Sequence, residues 1–199
     1  MKIALLAPAW FAVPPVRYGG IEWVVSHLAD GLVDRGHDVT LFAAGDSQTK
    51  ATLATSYDEP PSYRIGLSLP DLHHALTCLE RAGEFDVVND HSGPLACALG
   101  QVVETPFCHT VHGPLRGEPG LVYSQIALVC PRVRLISLSY DQRSPSPTCR
   151  GLQRATTPST WTTTRSTRGT TATCSSSAGC RPTRAPTTPC GSPVRPACR

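Results

Sequence analysis

Five short apolar runs recur along the first 140 residues, and between them the apolar positions take up a helical period. Ile3-Ala4-Leu5-Leu6-Ala7 is apolar on both faces, as a strand covered by helices on each side must be. The run ends at Pro8, and the loop that follows, as far as Gly19, is long for a strand-to-helix turn, which ordinarily takes about two to six residues. A loop of that length at a strand end is expected to touch ligand. From Ile21 the pattern Ile21, Val24, Val25, Leu28, Leu32 predicts a helix over 20–35 with these side chains on its core face and Gly36 as its stop. Val39-Thr40-Leu41-Phe42-Ala43 reads as the second strand, which completes a βαβ unit.

Residues 44–69 are polar and broken by Pro60, Pro61 and Gly66, and no element is assigned there. Pro70 and Asp71 open a short helix through Leu72, Ala75, Leu76 and Leu79, closed by Gly83. Three further strands are predicted over 85–89, 107–111 and 134–139, with helices over 94–102 and 119–129 between them. Alternating strands and helices with right-handed crossovers make an open, mostly parallel α/β sheet.

Composition divides the chain near residue 143. The first 143 residues hold all 15 acidic side chains and ten of the 18 basic ones, a formal charge of −5, whereas 144–199 holds the remaining eight arginines and no acid, or +8. That later stretch has 14 Thr, 8 Pro and 5 Cys, and its only large apolar residues are Leu152, Trp161 and Val194. Three such side chains cannot offset the conformational entropy of ordering 56 residues. The expectation is therefore one domain over 1–143 followed by a disordered Thr/Pro/Arg/Cys-rich tail over 144–199. Because Lys, Asp, Glu, Ile, Phe and Tyr are absent from it, the tail reads as text from a shifted frame, with a native linker as the alternative.

Cys78, Cys97, Cys108 and Cys130 sit singly in apolar surroundings and are expected to act as small buried hydrophobes. The five tail cysteines form no C-x-x-C pair and have no histidine beside them, so no metal is expected. The apolar stretch after Lys2 is broken at Pro8, too early for a signal peptide, and no apolar run reaches the roughly 18 residues of a membrane span. The expected compartment is the cytoplasm. The tail arginines would attract phosphate backbones nonspecifically, but no recognition helix or interleaved aromatics accompany them, and no specific nucleic-acid partner is expected.

Ligands of an open parallel sheet bind beyond the carboxyl ends of its strands. Three clusters fall there: Gly19-Gly20 at the start of the first helix, Asn89-Asp90-His91-Ser92-Gly93 after the third predicted strand, and Thr110-Val111-His112-Gly113 after the fourth. Unpaired N–H groups at the helix start favour a phosphate or carboxylate. His91 and His112, at equivalent strand ends, can meet over one crevice, bind hydroxyls or move a proton near neutrality. Asp90 or Glu22 is able to orient sugar hydroxyls. G-x-G-x-x-G, G-K-[ST], G-x-S-x-G, H-E-x-x-H and Asp-x-Asp are all missing, which argues against dinucleotide, ATP, serine-hydrolase and metal-centred chemistry.

Tyr18-Gly19-Gly20-Ile21-Glu22, Arg35-Gly36-His37-Asp38-Val39-Thr40-Leu41-Phe42-Ala43, Gly45-Asp46-Ser47, Phe85-Asp86-Val87-Val88 with His91-Ser92-Gly93, and Thr110-Val111-His112-Gly113 together resemble the amino-terminal domain of family 4 glycosyltransferases. That family is the retaining group with two facing Rossmann-like domains, the GT-B arrangement. The resemblance covers residues 1 to about 143. It implies transfer of a sugar from a nucleotide-sugar donor to an acceptor, here unknown, with retention and without a cofactor or required metal. By the same resemblance His112 lies near the transferred sugar, Gly19 and Gly20 approach donor phosphates or acceptor, Glu22 supports their loop and His91 shapes the site. The family's second domain carries an Arg/Lys pair and glutamates spaced E-x7-E; no acidic residue follows Asp141 here. The chain is thus expected to be inactive alone, with a noncatalytic α/β binding or interaction domain as the alternative.

Overall fold

The structure, a computed structural model, describes residues 1–139 and Gln142. The tail over 144–199, its expected disorder and its shifted frame lie outside the described residues. Six strands, β1 (Lys2–Leu6), β2 (Asp38–Phe42), β3 (Thr52–Ala54), β4 (Val87–Asp90), β5 (Phe107–Val111) and β6 (Val133–Ser137), form one sheet in the order β3-β2-β1-β4-β5-β6. Every pairing is parallel. The helices are α1 (Gly20–Val33), α2 (Ser68–Glu80), α3 (Pro94–Leu99) and α4 (Gly117–Val129). This is the Rossmann-like open sheet expected from the alternation of periods.

The two sheet faces bury separate cores. Ala4, Leu6, Phe42, Val88, Phe107, Val111, Val133 and Leu135 pack with residues of α2, α3 and α4 on one face. On the other, Ile3, Leu5, Val39 and Leu41 pack against Val25 and Ala29 of α1. Successive strand residues point to opposite faces, so runs such as Ile3 to Leu6 serve both cores, which explains why they carry no alternation. Cys78, Cys97 and Cys130 are free and buried in or beside these cores, and Cys108 is free and half-buried. Burial pushes the Cys78 thiol up to about 12 and the Cys108 thiol up to about 11, so neither is a ready nucleophile.

Three features differ from the expectation. β3 has no counterpart among the predicted elements; it is three residues long at the sheet edge, too short for an apolar run to register. α2 starts at Ser68, with Pro70 inside its first turn, where a missing N–H costs no intrahelical bond. α1 is rotated from the predicted stripe. Its buried residues are Glu22, Val25, Ser26 and Ala29, while Val24 is 40% exposed and Ile21, Leu28 and Leu32 pack only along the flank. Small side chains at 26 and 29 admit a close approach to the sheet, and the larger ones are displaced to its edge.

Candidate functional site

β1 and β4 are neighbours, and the chain leaves β1 toward β2 and β3 but leaves β4 toward β5 and β6. The connections therefore diverge at this pair, and a crevice opens above their carboxyl ends. The loop 8–19 rises from β1 on one side. It is held rather than loose. Ser47 Oγ accepts from the Val13 N–H at 2.9 Å, the Gln48 N–H donates to the Val13 carbonyl at 2.7 Å, and the Ser62 hydroxyl donates to the Trp10 carbonyl. Beside this loop lies a hollow of about 340 Å³ lined mainly by Phe11, Ala12, Pro15, Val16 and Tyr18, with Arg17 and Asp46 as its charged groups.

At the start of α1 the two glycines are not equivalent. A Cβ on Gly19, whose φ is 155°, would stand 2.6 Å from Pro15 Cγ and 2.7 Å from Glu22 Oε2, whereas one on Gly20 would meet nothing within 4 Å. Gly19 is thus required by local packing, and Gly20 is exposed at the open helix end. Glu22 is turned inward beneath them, 4% exposed, and burial raises its carboxyl above the usual value while its own backbone N–H partly offsets this. It stands under the loop.

The histidine clusters meet on the other side. His91 N–H donates to the Leu6 carbonyl at 2.8 Å, extending the β1–β4 register by one residue. His91 Nδ1 is 2.8 Å from His112 Nε2, with ring centroids 5.1 Å apart. His91 is 3% exposed and its Nε2 is buried without a partner among the described residues; His112 is half-buried. Burial, together with His112 and His109, lowers His91 to about 3 against the pull of Asp90, and burial and His109 lower His112 as well. Gln142 donates through Nε2 to the carbonyls of Val111 at 2.9 Å and Gly113 at 2.8 Å, clamping the backbone on both sides of His112.

Beneath this pair lies a polar chain that the sequence did not disclose. Asp90 is fully buried, so it does not meet solvent or a sugar as its position after a strand suggested. Its Oδ1 accepts from the Ser92 N–H at 2.8 Å and hydroxyl at 2.6 Å, and its Oδ2 accepts from His109 Nδ1 at 2.6 Å. A carboxylate there fixes the proton on Nδ1, so His109 Nε2 accepts from the Tyr123 hydroxyl at 2.9 Å. Burial pushes the Tyr123 phenol well up, which keeps it a donor. The available signal was His109 itself. It shares the inward face of β5 with Phe107 and Val111, and a polar residue at such a position must find buried partners.

Among the described residues no three His, Cys, Asp or Glu side chains are grouped to hold a metal ion, and no helix is long and apolar enough to cross a membrane. The arrangement offers hydrogen bonds from a fixed imidazole and from backbone N–H groups. Of solved structures, that of AviGT4, a glycosyltransferase involved in avilamycin A biosynthesis, is 31% identical with a TM-score of 0.38, over 57% of this chain and 32% of that one. The chain therefore spans about a third of that protein's length. No curated protein matches. A family model described as Glycosyltransferase Family 4 matches residues 18–170, from the Gly19-Gly20 loop through both histidines and beyond the change in composition at 143. That match takes in well over half of the 199 residues, and the chain belongs to glycosyltransferase family 4.

Proposed function

We propose that this domain forms one wall of a site that transfers a sugar from a nucleotide-sugar donor to an acceptor hydroxyl with retention at the anomeric carbon. The observation that carries the reading is the placement of His112 and the open start of α1 on either side of the β1–β4 divergence. His112 would face the transferred sugar. Gly20 and the N–H groups after it would meet the departing diphosphate, whose charge is stabilised by fixed dipoles in a site closed to water. Glu22 supports the Gly19 turn, and the hollow beside Tyr18 would receive the acceptor.

The test is calorimetric titration of the full chain with UDP-glucose and GDP-mannose, beside a radiolabel transfer assay. We expect binding of at least one donor, weakened in His112→Ala. Any turnover that is equal in wild type and His112→Ala would remove the assignment of His112 to the transferred sugar. Absence of any donor binding would remove the donor-side assignment of His112 and Gly20.

A further inference from the structure

Of the two ring nitrogens of His112, Nε2 is engaged inside the protein by His91, while Nδ1 has no hydrogen bond among the described residues. The far nitrogen of His91, Nε2, is buried and has no protein partner among the described residues. An apolar ring would fill the same space without burying a second nitrogen, so what the imidazole adds at 91 is its Nδ1.

We propose that His91 is a positioning residue whose Nδ1 engages Nε2 of His112, so that His112 meets a ligand through Nδ1 alone. A half-turn of the His112 ring would put Cε1 in the place of Nε2 and Cδ2 in that of Nδ1, and the contact with His91 opposes that turn. The contact holds one proton, so the tautomers of the two rings are coupled. The groups facing the pair are Asp90 from β4, which favours positive charge, and His109 from β5, which with burial opposes it. Both rings are accordingly neutral at pH 7. If the glycosyltransferase reading holds, His112 orients a sugar oxygen rather than storing a proton; the contact itself does not depend on that reading.

The experiment is nitrogen NMR of the uniformly ¹⁵N-labelled full chain without ligand. A scalar coupling across the hydrogen bond between His91 Nδ1 and His112 Nε2 is expected, with distinct shifts for the two nitrogens of His112. In His91→Phe, shown folded by circular dichroism, the coupling is lost and the His112 nitrogens average toward one value. His91→Asn, whose amide stands near the place of Nδ1, restores distinct shifts. Wild-type His112 nitrogens that are averaged and uncoupled would overturn the proposal whether or not a variant folds. So would a folded His91→Phe protein with an unchanged His112 signature.

Discussion

His74 makes stability sensitive to mild acid. It lies on α2, 2% exposed, with Nε2 donating to the Ala7 carbonyl at 3.0 Å and Nδ1 accepting from Ser56 Oγ at 2.6 Å. Both nitrogens are occupied by the neutral ring, and burial lowers its pKa from 6.5 to about 4. The unfolded chain therefore binds a proton at pH 5 that the folded chain refuses. Stability is fully present above 6.5 and is lost as pH falls from there toward 4. With those two values the loss between pH 7 and pH 5 is about 2 kcal/mol from this residue. His74→Gln keeps an amide N–H for Ala7 without titrating. Urea unfolding of both proteins at pH 7 and pH 5 isolates the effect, since His91 and the carboxyls are common to both. The stability of wild type relative to the variant should fall by about 2 kcal/mol on acidification. A gap that stays constant within about 0.5 kcal/mol would refute the reasoning, because His74 would then titrate alike in both states.

Two further perturbations probe the start of α1. Gly19→Ala should cost roughly 1–3 kcal/mol through the Pro15 ring and Glu22, whereas Gly20→Ala should leave thermal stability nearly unchanged and lower nucleotide-sugar affinity; equal melting losses would contradict the distinction. Glu22 has a carboxyl raised by burial, so its favourable share is present below the usual 4.5 and is lost as pH rises through the folded value. Glu22→Gln should therefore raise the melting temperature at pH 7 and give no gain at pH 3, and a loss at pH 7 would show that the charge is needed there.

Local pattern carried most of the fold. The two-sided apolar runs at 3–6, 39–42 and 107–111 announced buried parallel strands because strand, face and burial share one short period. β3 escaped since three edge residues with little to bury leave no such trace. The buried face of α1 was misplaced because periodicity weighs side chains by hydrophobicity, while close packing on a sheet selects by size, and Ser26 and Ala29 won over Val24.

The amino-acid order by itself determined the succession of elements, the helix start that carries Gly19 and Gly20, the strand ends that carry His91 and His112, and the likeness to the family. Only the tertiary structure decided which of these residues touch. The 2.8 Å contact of His91 with His112, and the inward turn of Asp90 to His109 and Tyr123, join residues 14 to 21 positions apart. Spacing along the chain cannot show such contacts, because sheet register and side-chain burial, set by all the strands together, choose which polar group finds which partner.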